Sequence, residues 1–136
     1  MLALSARMMI SALFLYSGGT KLLDPESFAR AIQGYQMVSM DSVLWMTWVL
    51  PWLEVWCSVA LWVTPAFRRS AWSWIGFLLV VFTLAKISAV LRGLDISCGC
   101  TGTDSPLTWA SVFENLIWLA VTGVGLCLDR RYPRLP

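Results

Sequence analysis

Two cysteines one residue apart are the residues of this sequence best suited to chemistry. Cys98 and Cys100 flank Gly99 within a polar, glycine-rich stretch that interrupts the apolar second half of the chain. Thiols at this spacing form a redox pair, a structural disulfide that staples a loop, part of a soft-metal site, or a turn with two unrelated small residues. A disulfide between them would close a very small ring, and strained, exposed disulfides are the ones that exchange. The choice between these alternatives depends on the elements that position the pair.

Composition indicates that those elements lie in a membrane. Hydrophobic residues make up 58% of the 136 residues and charged residues only 13%, whereas a soluble domain carries about 25% charged residues. Four apolar segments, at residues 5–23, 42–64, 70–91 and 107–128, each approach the ~20 residues that a membrane-spanning helix needs. Because backbone in lipid must satisfy its own hydrogen bonds, helices are expected. The sequence predicts an all-α, integral membrane four-helix bundle that forms a single domain over residues 1–136.

The basic residues indicate how this bundle is oriented. The side with fewer of them has Arg30 and Arg92 in or beside loops, and Lys21 and Lys86 near helix ends. The other side collects Arg7, Arg68, Arg69, Arg130, Arg131 and Arg134. Since cytoplasmic loops carry an excess of basic residues, both termini are predicted to be cytoplasmic. The cysteine pair then faces the periplasm or the cell exterior, where disulfides persist.

Ionisable residues inside the spans form a second group of candidates. Such residues are costly in lipid, usually face the bundle interior and pair with one another. The residues concerned are Lys21, Glu54, Lys86 and Glu114. With Arg92, the two lysines could lower the pKa of a thiol in the cysteine stretch and favour the attacking thiolate. The alternative is structural, since such charges can simply hold helices in register or snorkel to the interface.

Helical periodicity predicts which way these side chains point. In the second span a stripe at helical spacing consists of Trp45, Trp48, Trp52 and Trp56. Glu54 falls opposite this stripe, near Cys57, so the tryptophans should face lipid or a partner and Glu54 the bundle. In the fourth span the predicted inward face comprises Ser111, Glu114, Asn115, Trp118, Thr122 and Gly125. Cys57 and Cys127 are predicted to be buried small apolar residues.

Composition also excludes several kinds of site. The chain has no histidine, which removes the usual ligands of zinc and haem and the usual proton shuttle. A soft-metal site such as one for Cu(I) would have only two thiolate ligands and no histidine here, so no metal site is predicted. The net charge of +2 is too small to indicate nucleic acid as a partner.

Six short motifs, in order, resemble a known family over nearly the whole chain. They are Ser17-Gly18, Lys21-Leu22-Leu23-Asp24-Pro25, Tyr35-Gln36, Leu50-Pro51-Trp52-Leu53-Glu54, Arg92-Gly93-Leu94-Asp95 and Cys98-Gly99-Cys100-Thr101-Gly102. Together they resemble the MauE (methylamine-utilisation) branch of the DoxX-like membrane proteins. That family usually has phenylalanine where this chain has Thr101.

The resemblance implies a multi-pass protein of the bacterial inner membrane. MauE is linked to maturation of a disulfide-rich periplasmic dehydrogenase subunit, alongside a thioredoxin-like partner. By position, Cys98 and Cys100 become the candidate catalytic redox pair. Lys21, Glu54 and Asp95 occupy motif positions whose role the family does not define.

These observations support three hypotheses. The first is a thiol–disulfide redox protein that exchanges with a periplasmic thioredoxin-like protein or a disulfide-containing client. Such a protein could act as a thiol–disulfide oxidoreductase. Its electrons could pass to quinone, although no cofactor motif is identifiable. The second is a non-catalytic accessory subunit of a larger membrane complex, with the tryptophan stripe as its contact surface. The third is a small-solute or metal carrier built around Glu54 and Lys86.

Overall fold

The computed structural model of the protein describes residues 1–94, 96 and 106–131. Its described residues form five helices, named here α1 (Leu2–Leu23), α2 (Pro25–Gly34), α3 (Met40–Ala60), α4 (Pro65–Leu91) and α5 (Trp109–Arg131). All except α2 are long and apolar enough to cross a membrane. The predicted all-α fold with four membrane-spanning helices is thereby confirmed, and the chain is a multi-pass membrane protein.

Several helix boundaries differ from the predicted spans, and two of the differences bear on buried charges. Pro65 occupies the first turn of α4, where the fixed φ of proline is compatible with a helix and its missing N–H is not needed. As a result α4 begins five residues before the predicted start at Ser70. The last helix α5 continues to Arg131, so Asp129, one residue beyond the predicted end of the fourth span at 128, belongs to a helix.

The four long helices form a closed ring in which α1 and α4 each lie between α3 and α5. Short α2 packs on the first turns of α3, where Phe28 and Ile32 meet Val43. Apolar side chains of all four long helices form the main core. Its fully buried members are Ile10, Leu61, Trp72 and Ile75.

The first turns of α1 and the last turn of α5 lie at the same end of the bundle. Arg7, near the start of α1, contacts Asp129, near the end of α5. The two helices are therefore antiparallel, and the start of α1 and the end of α5 lie on the same side of the bundle. The predicted cytoplasmic location of that side stays a prediction.

The two faces of α3 differ as predicted. The stripe tryptophans Trp45, Trp48, Trp52 and Trp56 are 51–75% exposed. On the opposite face Glu54 is 1% exposed, and α1 approaches that face closely. A Cβ atom on Gly18 of α1 would lie 2.9 Å from the carbonyl oxygen of Pro51. Glycine therefore allows the backbones of α1 and α3 to pack together, as small residues do in membrane bundles.

Candidate functional site

The predicted catalytic residues Cys98 and Cys100 lie outside the described residues, as does Asp95. The chain on either side of the cysteine stretch is described. The backbone N–H of Leu107 donates to the carbonyl oxygen of Ile96 at 3.0 Å. Ile96 in turn packs directly on Gly34, the last residue of α2.

Arg92 adds a further attachment to the same end of α2. Its guanidinium donates to the carbonyl oxygen of Tyr35 at 3.0 Å. Arg92 is exposed and joins none of the buried charges. Its observed contact is thus with the α2 end, beside the residue where Ile96 packs.

Lys21 and Glu54 form a buried ion pair between α1 and α3. The Nζ atom of Lys21 lies 2.5 Å from Oε1 of Glu54, and the two side chains are 3% and 2% exposed. Lys21 also donates to Oγ of Ser17, one turn earlier in α1, at 2.9 Å. A buried pair of this quality offsets the desolvation of both charges only because the geometry is good. The expectation that Glu54 faces the bundle is confirmed, and its partner is Lys21.

Two aromatic rings complete the surroundings of Lys21. Its Nζ atom lies 5.0 Å from the ring centre of Phe28 in α2 and 5.3 Å from that of Phe82 in α4. Both distances allow a cation–π attraction. The ammonium group therefore joins three transmembrane helices and α2 at one point.

A cavity of about 390 Å³ adjoins Lys21. Its other walls are almost entirely apolar and come from α2, α3 and α4, for example Ile32, Leu50 and Phe82. This volume falls within the ~300–1,000 Å³ typical of small-molecule sites. The buried ion pair thus stands at the edge of a space that can hold a ligand.

Lys86 is a second buried lysine, 3% exposed, and it contacts neutral groups. Its Nζ atom donates to the carbonyl oxygen of Ser111 at 3.2 Å and to Oδ1 of Asn115 at 3.1 Å. Asn115 is held in place by its own bond to Thr83. Within the described part of the chain no carboxylate lies within 4.0 Å of this ammonium group.

The predicted inward orientation of Glu114 is wrong, because its side chain is exposed. The buried face of α5 is formed by Val112, Asn115, Thr122, Gly125 and Asp129. These residues are three, seven, three and four positions apart, which defines a single helical stripe. Glu114 is one position, or about 100°, away from that stripe.

A buried charge cluster at the opposite end of the bundle was missed by the sequence analysis. Asp129 accepts from Arg7 at 2.8 Å and from the indole N–H of Trp72 at 2.6 Å, and Arg68 lies 3.9 Å from the same carboxylate. Arg7 and Arg68, which the sequence analysis used as basic residues of the side predicted to be cytoplasmic, are buried in the bundle. The available signal was the α5 stripe, which continues from Thr122 to Asp129.

The two remaining cysteines differ from each other. Cys57 is buried, as predicted, whereas Cys127 is exposed, contrary to the prediction. Both are free thiols. Cys127 occupies the outer face of α5 because it lies two positions from Gly125 and Asp129, which are both on the buried stripe.

A family model and two curated proteins that this chain resembles all carry the name MauE. The family model described as "Methylamine utilisation protein MauE" matches residues 1–128. The protein named "Methylamine utilization protein MauE" from Paracoccus denitrificans is 31% identical over 118 residues, which cover 85% of this chain and 63% of that relative. Its namesake from Methylophilus methylotrophus is 28% identical over 125 residues, covering 91% and 65% respectively. This chain thus spans just under two thirds of the length of these curated relatives. No solved structure matches it.

Proposed function

The chain belongs to the methylamine utilisation protein MauE family, and we propose that it carries out thiol–disulfide exchange through Cys98 and Cys100. The partner is a periplasmic thioredoxin-like protein or a disulfide-containing client. The location is the bacterial inner membrane, with the cysteine stretch on the periplasmic side. By analogy with the names of its relatives, the process served is methylamine utilisation.

The observation that carries the proposal is the Cys98-Gly99-Cys100 stretch itself. Two cysteines in a polar stretch of a membrane protein, on the side predicted to be oxidising, are suited to a disulfide. Support comes from the residues on either side of the stretch. Ile96 packs on Gly34, and its carbonyl oxygen accepts a hydrogen bond from the backbone N–H of Leu107. These contacts fix the attachment points of the stretch to the end of α2.

Exchange starts from the oxidised pair. A thiolate of the reduced partner attacks one sulfur of the Cys98–Cys100 disulfide, and the other sulfur leaves as a thiolate. The second thiolate of the partner attacks the resulting mixed disulfide and releases the first sulfur. The partner has then gained a disulfide and lost two electrons, and Cys98 and Cys100 have become two thiols after taking up two protons. Exchange of this kind is fastest when the attacking thiol has a pKa near the ambient pH.

Alkylation under controlled redox conditions tests whether this couple exists. In a Cys57→Ala/Cys127→Ala variant, the only thiols are those of Cys98 and Cys100. The purified variant is equilibrated with glutathione mixtures of increasing reducing strength and then treated with a maleimide that adds mass. We expect zero added labels in the oxidising mixtures and two in the reducing ones, with a single midpoint.

The matched control is a Cys98→Ser/Cys100→Ser variant that keeps Cys57 and Cys127. Its labelling should stay constant across all mixtures, because the two remaining thiols are free and belong to different helices. Two labels in every mixture of the first variant would contradict the proposal and leave the accessory-subunit hypothesis in its place.

A further inference from the structure

The cavity beside Lys21 has a form that selects a particular kind of ligand. Its walls are apolar, and one buried ammonium group adjoins them. Lys21 has three N–H donors. Two of them are used by Glu54 and Ser17. A donor remains for an acceptor atom that enters the cavity.

The charge at this point argues against an anionic ligand. Glu54 lies 2.5 Å from the Lys21 ammonium group, so the pair is neutral as a whole. An anionic headgroup would be attracted by the lysine and repelled by the carboxylate, and it would also lose its hydration. A neutral hydrogen-bond acceptor such as a carbonyl oxygen meets neither penalty.

Aromatic side chains define the shape of the ligand near this donor. Phe28 and Phe82 both lie within 5.3 Å of the Lys21 Nζ atom, measured to the ring centres, and both line the cavity. Planar rings prefer to pack against aromatic rings in stacked or edge-to-face arrangements. A flat, conjugated headgroup therefore fits the polar end of the cavity better than a flexible one.

The opening of the cavity indicates how such a ligand enters. Val81 and Leu84 line the cavity, and these side chains are 42% and 61% exposed on α4. Exposed apolar side chains of a membrane-spanning helix face lipid. The cavity is thus accessible from the bilayer, and a lipid-soluble molecule can reach it without crossing water.

We propose that the cavity bounded by α2, α3 and α4 binds a lipid-soluble quinone, with one carbonyl oxygen accepting a hydrogen bond from Lys21. The planar ring lies beside Phe28 and Phe82, and the isoprenoid tail extends past Leu84 into the bilayer. A quinone is neutral, flat, rich in carbonyl acceptors and soluble in the membrane, which matches all four features. The binding does not depend on the thiol exchange proposed above.

Binding is measured with the full-length protein in lipid nanodiscs, using decylubiquinone as the probe and an azido-substituted ubiquinone for photolabelling. We expect saturable binding, and photolabelled peptides from α2 and α4 that decylubiquinone protects. Ala85 lines the cavity and is only partly exposed, so Ala85→Phe should fill it. Affinity should fall at least about tenfold, equivalent to ~1.4 kcal/mol. Ala85→Leu should give a smaller loss and provides a graded variant if Phe impairs folding.

Ala120→Phe is the matched control, because Ala120 is exposed on α5 and does not line the cavity. It should bind like the unmodified chain. Equal affinities in the Ala85 and Ala120 variants, or absence of saturable binding to the unmodified chain, would overturn the proposal. Competition by oleate as strong as that by decylubiquinone would overturn the selection of a neutral headgroup.

The same titration in the Cys98→Ser/Cys100→Ser variant separates the two proposals. Quinone affinity should be unchanged there, although redox-dependent alkylation is impossible. Loss of binding in Ala85→Phe together with an intact alkylation midpoint would confirm that the cavity and the cysteine couple are distinct. A cavity that binds no quinone in a protein with a normal midpoint would refute the quinone proposal alone.

Discussion

Two clusters of buried charge lie in opposite halves of this bundle, and they differ in how their hydrogen bonds are used. In the Arg7 cluster, formed by Arg7, Arg68, Trp72 and Asp129, both carboxylate oxygens accept bonds from the protein. In the Lys21 cluster, formed by Lys21, Glu54 and Ser17, the ammonium group keeps a donor and adjoins a cavity. The first cluster has the arrangement of a structural clamp, and the second that of a site open to a ligand.

Burial of charge in a membrane helix does not by itself indicate function, as the difference between these two clusters shows. Intramembrane charges are functional candidates by default. Asp129 is 3% exposed and Lys21 is equally buried. Both carboxylate oxygens of Asp129 accept hydrogen bonds, whereas Lys21 keeps an unused donor and adjoins a cavity. An unused hydrogen-bond donor beside a cavity is the feature that distinguishes the Lys21 cluster from the Arg7 cluster.

The largest expected effect comes from Asp129→Asn, which would break the clamp. It would remove the buried carboxylate that lies against Arg7 and Arg68. Removing one partner of a buried ion pair costs about 3–5 kcal/mol, and we expect the upper end because Trp72 also donates to this carboxylate. Reversible unfolding in mixed detergent micelles measures the loss.

Glu26→Gln provides the control for this prediction. Its pair with Arg30 is exposed and 3.9 Å long, and such pairs contribute at most about 1 kcal/mol. A loss of the same size in both variants would show that the Arg7 cluster is not a clamp.

The second prediction distinguishes the two clusters by double replacement. Glu54→Gln alone should cost about 3 kcal/mol, because Lys21 stays buried without its carboxylate. Lys21→Met/Glu54→Gln should recover most of that loss, since both charges are removed. Arg7→Met/Asp129→Asn should recover little, because Arg68 stays buried beside the altered position. Unfolding free energies of the two double variants and their four single variants give the two coupling energies, and equal recovery at both ends would remove the distinction.

The third prediction concerns the approach of α1 to α3 that brings Lys21 to Glu54. The added methyl group of Gly18→Ala would meet the Pro51 carbonyl oxygen at 2.9 Å and Val55 at 3.0 Å. Overpacking of this kind costs about 1–3 kcal/mol. Gly19→Ala is the matched control, since its methyl group would meet no atom within 4 Å. Helix propensity predicts a stabilisation of at most about 1 kcal/mol there. Thermal unfolding that ranks the two variants the other way would contradict this packing.

The smallest effect is a pH dependence confined to α2. The Asp24 carboxylate accepts a bond from the Ser27 backbone N–H, which holds the pKa of Asp24 below its ordinary value of 3.8. A carboxyl group whose pKa is lowered on folding stabilises the folded state above its unfolded pKa, and that contribution is lost as the pH falls through the folded pKa. The protection factors of the α2 amides, which are corrected for the intrinsic exchange rate at each pH, should therefore decrease below pH 3.8. In Asp24→Asn, which keeps a capping side chain, this decrease should disappear, and its persistence would assign the effect to another group.

Periodicity was sufficient to predict much of this structure from the sequence. The length of the apolar segments predicts the four long helices. The rotation of about 100° per residue in an α-helix predicts the exposed tryptophans of α3 and the inward Glu54. Pairing between helices does not follow from periodicity, because it depends on how the helices are arranged around the ring. The partner of Glu54 was therefore undetermined, although Lys21 was among the charges expected to pair.

The residues that were mispredicted lie where two local signals conflict. Asp129 precedes two arginines near the end of the chain, which indicates a polar tail, yet it continues the α5 stripe. Arg7 and Arg68 were taken as evidence of orientation, whereas the packing uses them as partners of Asp129. Glu114 next to Asn115 shows that a shift of one residue decides whether a polar side chain faces lipid or bundle.

Trapping a mixed disulfide tests the proposed function most directly. In the Cys57→Ala/Cys127→Ala background, Cys98 and Cys100 are each replaced by serine in turn. Each variant is incubated with a thioredoxin that keeps only its attacking cysteine, held as a disulfide with glutathione, and is compared with the variant that lacks all four cysteines. At least one single-cysteine variant should displace glutathione and form a covalent adduct with thioredoxin that a reductant releases, because the second thiol needed to resolve it is missing. Absence of a reducible adduct in both variants, with the protein folded and the remaining thiol open to maleimide, would contradict the proposed function.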